Sequence, residues 1–445
     1  MELLSKLKNK HFLSLAGNAI MSVFGLVIAA VLYRALPVEE LGVWVFFQST
    51  LLLIDTFRSG FLTTAFIKFY AGAEKNRAAE IMGSSWYLGL AITCIFIVLN
   101  IPALFFLDKI ENQGLLFFFK WFAVTYICTL PSFMASCVVQ AQQRFDRLLY
   151  IRFVSQVLFI LGIVLLIVTG KNNLQNIIYA NLAAALLTSL FTFAAGYSGI
   201  RDFRYRTKKG IKEMFHFGKY SVGTTLGSNL FRSSDTFIIN FLLGPAALAI
   251  YNLGQRLMEI VEIPLRSFAA TAMPALSAAY NQDKRNEVIY VMKKYTGMLT
   301  VALVPVALVA VLLADVAVGL IGGGKYVGTE AANVFRLFMT FALLFPADRF
   351  LALTLDVIHQ PKINFYKVLI MLAANIAGDF IGIHLLGNIY GVAITTVIPI
   401  IIGVLIGYFA LRRYLPFSMW NIYQVGYAEL RLLVRQFLRR PVSRD

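Results

Sequence analysis

The chain has 445 residues, of which 59% are hydrophobic and only 14% charged, and its mean hydropathy is +0.73. That balance excludes a water-soluble globular enzyme and dictates a polytopic membrane protein. The formal net charge of +17 invites a nucleic-acid reading, but its placement along the chain is topological and excludes that partner.

A bilayer-crossing helix needs about 20 apolar residues. The apolar runs predict about twelve spans, at roughly 12–36, 41–66, 82–107, 115–140, 148–170, 175–198, 215–243, 246–278, 295–320, 330–357, 364–386 and 389–411. Lys6, Lys8 and Lys10 precede the first, which is expected to be retained, because it exceeds a signal h-region and no small-residue cleavage site follows. Lys and Arg crowd alternate connections: Lys68, Lys75 and Arg77; Arg144 and Arg147; Arg201 to Lys212; Lys284 to Lys294; Lys362 and Lys367; and the arginines after Leu411. The other set holds only Arg34, Lys109, Lys171 and Lys325. The positive-inside rule then puts both termini in the cytoplasm, which requires an even number of spans.

Span one carries Ser14, Asn18 and Ser22 on one face, and span two carries Gln48, Asp55, Arg58 and Ser59. Cys94, Cys128 and Cys137 fall inside spans without metal-ligand or redox spacing and read as small packing residues. Lys120, Arg152, Lys219 and Arg336 lie near span ends, where long cations snorkel. Span seven repeats Gly218, Thr225, Asn229, Arg232 and Thr236 on one face, with Asp235 beside it. Span eight continues with Asn252, Arg256, Glu259, Glu262 and Arg266 and is interrupted by Pro264. Asp348, Arg349, Asp356 and Asp379 are also deep in spans.

A charged side chain at bilayer depth costs about 2.5 to 3.5 kcal/mol, so such residues face a bundle interior or a wet cavity. Arg232 with Asp235, Arg256 with Glu259, and Glu262 with Arg266 are three or four residues apart and share helix faces. Two readings stay open: the pairs lock helices together, or the arginines, whose fork suits phosphate and carboxylate, bind an anionic headgroup. Candidate binding residues are Arg58, Arg232, Arg256, Arg266, Asn18, Gln48, Asn229 and Asn252. Asp55, Asp235, Glu259 and Glu262 hold the arginines poised or bind a coupling Na⁺ or H⁺, and neither a resident metal nor another cofactor is expected.

No loop is large enough for a catalytic domain, and no GxxxxGK[ST] phosphate loop occurs; Gly322 to Lys325 reads as a turn on the outer side. An enzyme is therefore not expected. Two halves are visible: Leu41-Gly42-Val43-Trp44 with Gln48 aligns with Leu248-Ala249-Ile250-Tyr251 with Gln255, each after a proline, Pro37 or Pro245. His11-Phe12 echoes His216-Phe217, and Tyr179-Ala180 echoes Tyr390-Gly391. The fold class is thus an all-α integral membrane protein, with about twelve transmembrane helices in two pseudo-symmetric six-helix bundles around a central cavity. The bundles are residues 1–211 and 212–411, joined through the basic loop Arg201 to Lys212. Residues 412–445 form a cytoplasmic basic tail with Trp420, Tyr423, Tyr427, Leu430, Val434 and Phe437 at helical spacing and Arg431, Arg435 and Arg439 every fourth residue, the pattern of a helix on an anionic membrane surface.

Several stretches resemble the polysaccharide-transport family of the multidrug/oligosaccharidyl-lipid/polysaccharide exporter superfamily, which includes Wzx-type O-antigen flippases. They are Leu36-Pro37-Val38-Glu39-Glu40-Leu41-Gly42-Val43-Trp44, Gln140-Ala141-Gln142-Gln143-Arg144-Phe145, Asp235 followed by Leu243-Gly244-Pro245 and Ile250-Tyr251-Asn252-Leu253, and Leu386-Gly387-Asn388-Ile389-Tyr390-Gly391-Val392-Ala393. The resemblance implies two six-helix bundles in a V. It also implies flipping of a polyprenyl-pyrophosphate-linked oligosaccharide from the cytoplasmic to the periplasmic leaflet of a bacterial inner membrane, with membrane lipids and other polysaccharide-assembly proteins as partners. Relatives carry cavity arginines on spans one, two and eight; span one here has none at mid-membrane, so Arg58, Arg256 and Arg266 carry over, and Arg232 is inferred from position. The alternatives are an ion-coupled multidrug antiporter of the same superfamily, for which a net acidic cavity is expected, and an integral-membrane polysaccharide polymerase.

Overall fold

The computed structural model describes residues 10–439, with side chains from Ile20 to Leu432 apart from Tyr220 and Thr224, and Arg435 beyond them. Among these residues there is no strand. The helices are α1 (Lys10–Ala35), α2 (Val38–Tyr70), α3 (Lys75–Leu104), α4 (Gln113–Ala141), α5 (Phe145–Val168), α6 (Leu174–Ala194), α7 (Lys208–Leu242), α8 (Pro245–Leu257), α9 (Glu259–Asn281), α10 (Arg285–Leu312), α11 (Ala314–Gly322), α12 (Ala331–Phe341), α13 (Phe345–Val357), α14 (Pro361–Leu386), α15 (Ile389–Thr395), α16 (Val397–Arg412) and α17 (Trp420–Arg439).

Among the described residues twelve rods correspond to the roughly twelve expected spans, four of them broken: α8–α9, α10–α11, α12–α13 and α15–α16. Nine are long and apolar enough to cross a membrane on composition alone among the described residues. The other three are α1, counted only from Ile20, and the α7 and α8–α9 rods that carry the embedded charges. Proline stands in the first turn of α13 and α14, and Gly387 (φ +66) takes the left-handed conformation that ends α14, its N–H reaching the Ile383 carbonyl at 2.7 Å. Side-chain caps start others: Asn112 accepts from the Leu115 N–H at 3.1 Å and Thr207 from the Gly210 N–H at 3.0 Å. Exposed Leu161, Leu165 and Val168 on α5, or Val98 and Leu99 on α3, are the lipid-facing surface that a bilayer solvates.

The chain divides into two compact units, Met1–Ala249 and Ile250–Asp445. This packing boundary lies more than a full helix beyond the basic loop at which the sequence repeat divides, because α7 packs in the first unit.

In the first unit α2 and α7 run antiparallel along their whole length. Phe69 meets Phe217, Gly60 faces Thr225, Thr56 is bonded to Asn229, Phe46 packs edge-on against Phe237 and Phe241, and Gly42 abuts the Pro245 carbonyl. A Cβ at Gly218 would lie 2.7 Å from the Phe61 carbonyl oxygen, so glycine sets that approach. Trp86 on α3 is buried, and its indole N–H donates to the Ser198 carbonyl at 2.8 Å, fixing the 200–205 turn against the bundle.

In the second unit a core of Leu276, Val288, Met292, Phe350, Leu355, Leu411 and Ile422 joins α9, α10, α13, α16 and α17. Helix α17 lies against α10 rather than being free: Gly426 touches the Gly297 backbone, and Lys294 and Tyr290 hold Glu429, each at 2.5 Å. The side chains of Val434, Phe437 and Arg439, like those of Ser14 and Asn18, lie outside the described residues.

Candidate functional site

The embedded polar residues fall into clusters within each unit. In the first, Arg58 is 2% exposed. Its Nη1 donates to the Tyr126 carbonyl at 2.9 Å, and its Nη2 donates to Thr129 Oγ1 at 3.0 Å and lies 2.5 Å from Asp55 Oδ1. The guanidinium sits 4.1 Å over the Tyr126 ring and 4.9 Å from that of Phe133. The sequence presents Arg58 as a substrate ligand; in the structure its fork is occupied by α4 and Asp55, and only Asp55, 31% exposed, reaches the surface.

Asn229 on α7 donates to Thr56 Oγ1 at 2.7 Å, which fixes the register of the pair. Arg232, one turn further along α7, is exposed, whereas Asp235 and Asn240 are buried at 6% and 3%. Gln48 is half-buried on α2. Arg232 is thus exposed and Arg58 enclosed.

In the second unit the rod carrying Asn252, Arg256, Glu259, Glu262 and Arg266 breaks at Met258, between the members of its first charged pair. Arg256 Nη1 lies 2.7 Å from Glu259 Oε1, with the side chains 44% and 29% exposed. Arg266 pairs with Glu262, 55% and 34% exposed. Asn252 is buried at 9%. Both acids occupy the first turn of α9, where the helix dipole favours carboxylates. Pro264 cannot bond the Ile260 carbonyl, which keeps the segment deformable.

Ion pairs this exposed contribute little to stability where water reaches them, about 0 to 1 kcal/mol. Their arginines are therefore exchangeable: a phosphate oxygen can take the place of the carboxylate at small cost. The enclosed Arg58 has no such freedom.

Two further polar clusters lie in the second unit. Lys367, which the sequence counts with the basic residues at the start of the span 364–386, is inside α14 at 3% exposure with its ammonium 2.7 Å from Asp348 Oδ1. Asp379, fully buried on α14, accepts from Thr395 Oγ1 at 3.3 Å and Asn375 Nδ2 at 3.2 Å. The signal for Lys367 was available in Pro361, a helix-starting residue that puts Lys367 in the second turn of a span.

The family described as polysaccharide biosynthesis protein matches residues 31–330. A probable low-salt glycan biosynthesis flippase of Haloferax volcanii is 20% identical over 405 residues, 90% of this chain and 82% of that protein. Among solved structures, an inward-facing multidrug resistance MATE family transporter of the MOP superfamily superposes with a TM-score of 0.75 at 17% identity, covering 89% of this chain and 94% of that one. Lipid II flippase MurJ, in an inward closed conformation, gives a TM-score of 0.73 at 16% identity, covering 96% and 93%. The fold is that of the superfamily to which these transporters belong.

Proposed function

This chain belongs to the polysaccharide biosynthesis protein family, and from that membership we propose that it flips a polyprenyl-pyrophosphate-linked oligosaccharide from the cytoplasmic to the periplasmic leaflet of a bacterial inner membrane. Both termini are cytoplasmic in this reading, and the product feeds cell-surface polysaccharide synthesis of the O-antigen type. The observation that carries it is the exposed Arg256–Glu259 pair, 44% and 29% accessible, at a break in a membrane-spanning rod. Arg232, Arg256 and Arg266 exchange their protein partners for phosphate oxygens, and Asn229, Asn252, Gln48 and Asn18 supply neutral hydrogen bonds to phosphate or sugar. Arg58 acts at one remove, by holding Asp55. The apolar tail stays in lipid, and the chain alternates between inward and outward access.

An inside-negative potential assists expulsion of the anion: two charges across about 100 mV gain roughly 4.6 kcal/mol. Return to the inward state is coupled to Na⁺ or H⁺ at Asp55, Asp235, Glu259 or Glu262. The superfamily also contains drug transporters, and a drug cation calls for acidic side chains without compensating arginines, whereas here each open acid of the α8–α9 rod is paired with one.

The test is flipping of a fluorescent lipid-linked oligosaccharide in proteoliposomes. Arg232→Gln and Arg256→Gln abolish it while membrane insertion and monodispersity are retained. Flipping at the native rate in both variants would remove the assignment, and efflux of cationic dyes without lipid flipping would replace it by the drug-antiporter reading.

A further inference from the structure

A second cationic feature lies away from the embedded pairs, at the end of the first unit where α2 finishes and α7 begins. A cavity of about 550 Å³ is lined there by Lys68 and Phe69 of α2 and by Lys209, Lys212, His216 and Phe217 of α7. Lys209, Lys212 and His216 are three and four residues apart and so share the face of α7 turned to the cavity. The Lys68 ammonium rests 4.1 Å over the Phe217 ring, which fixes it at the wall without neutralising it.

Charge is not compensated there. Glu213, also at the cavity, is bound by Arg77, and the same guanidinium holds Glu80 at 2.8 Å. One arginine thus takes up both nearby acids, and three lysines outweigh the single negative charge left over. Among the described residues none of Lys68, Lys209 and Lys212 lies within ion-pair distance of a carboxylate, Lys209 acting on Glu80 only at longer range. Lys209 and Lys212 also stand at the wrong end of α7: its first turn holds no acid and begins Lys208-Lys209, so the positive end of the helix dipole opposes them. An anion seated among them relieves both repulsions.

We propose that this cavity binds the phosphate groups of an anionic lipid. On the flippase reading above, the lipid is the polyprenyl diphosphate substrate, held at the side that reading makes cytoplasmic before it reaches the arginines. Lysine suits such a capture station, being a mobile point charge that releases phosphate readily, whereas the arginine fork binds it bidentately. The aromatic floor of Phe69 and Phe217 accommodates the first apolar carbons next to the phosphate.

The full-length protein in detergent is photocrosslinked with a diazirine-bearing polyprenyl diphosphate, and the modified peptides are mapped in wild type, in K68Q/K209Q/K212Q and in K68R/K209R/K212R. Labelling within residues 209–217 is expected, falling about tenfold in the glutamine variant, a loss equivalent to 1.4 kcal/mol, and persisting in the arginine variant, whose retention also shows that the fold tolerates change at these positions. Excess inorganic pyrophosphate displaces the label. Phosphatidylglycerol competing equally well supports phosphate recognition and overturns the preference for diphosphate. Unchanged labelling in the glutamine variant, or labelling confined to other segments, overturns the cavity. Wild-type protein that is labelled here yet flips no lipid-linked oligosaccharide overturns the proposed function and leaves the cavity standing.

Discussion

Arg58 donates to the main-chain oxygen of Tyr126 at 2.9 Å while its guanidinium lies 4.1 Å over the ring of the same residue. One residue of α4 thus offers both a carbonyl and a π-face to one cation of α2, and Thr129 and Asp55 complete the set. The first expected consequence is that Arg58→Lys is not conservative. Lysine keeps the charge opposite Asp55 but cannot reach the Tyr126 and Thr129 acceptors together. A loss of about 1 to 3 kcal/mol follows from the buried hydrogen bonds forfeited, whereas Arg256→Lys, at an open pair, costs under about 1 kcal/mol. Thermal unfolding of the two variants in detergent checks the order; equal losses would mean that burial of Arg58 carries no energetic weight.

Glycine placement gives a second prediction. A Cβ on Gly42 would lie 1.7 Å from the Pro245 carbonyl oxygen, a backbone atom that has no rotamer to change, whereas nothing lies within 4 Å of one on Gly25. Gly42→Ala therefore forces α2 away from the start of α8 and costs about 1 to 3 kcal/mol. Gly25→Ala is neutral or slightly stabilising, since alanine is the better helix former. The readout is the midpoint shift of each variant, with Gly25→Ala as the control for handling.

Helix α17 should be pH-sensitive in its attachment. The Lys294 ammonium and then the Tyr290 hydroxyl hold the Glu429 carboxyl below the usual carboxylate range. A depressed carboxylate contributes stability that is present above its unfolded value, about 4.3, and is lost as pH falls through the folded value. Amide exchange in residues 420–432 is expected to match that of α10 at pH 6 and to rise selectively below about pH 4. Glu429→Gln abolishes the difference between the two pH values, and α17 protection that is unchanged on acidification in the native protein would show that Gly426 and Ile422 alone hold the helix.

The outline of the fold was legible because a bilayer imposes a length and a composition on each span, and the spacing of apolar runs reports both. Met258 was not legible as the break in the eighth span: Pro264 marks a site of weakness, but the turn forms six residues earlier, where the charged pair begins. Arg58 and Arg256 look alike in sequence, each three residues from an acid, and the structure separates them by burial, 2% against 44%. That difference is set by α4, whose Tyr126, Thr129 and Phe133 are some seventy positions away from Arg58 in the chain. Glycine-to-backbone approaches such as Gly42 to Pro245 and Gly297 to Gly426 were invisible for the same reason: a small residue announces that something is close without saying what.

Lys367 and Asp348 supply the prediction that separates structure from transport in the second unit. The ammonium is 3% exposed and the carboxylate 29% exposed, at 2.7 Å. Asp348→Asn leaves a buried cation without its counter-ion and is expected to cost about 3 kcal/mol or more. Lys367→Met costs less, because the carboxylate left behind reaches solvent. With both groups replaced, as in Asp348→Leu with Lys367→Met, no charge remains to desolvate, and stability returns to within about 1 kcal/mol of the native protein, a non-additivity that a double-mutant cycle measures. Lipid flipping by the double variant then decides what the pair is for. Native flipping at restored stability makes it a packing element of α13 and α14. Loss of flipping at restored stability assigns the pair to transport, and additive losses of stability would mean that the two side chains are not energetically coupled at all.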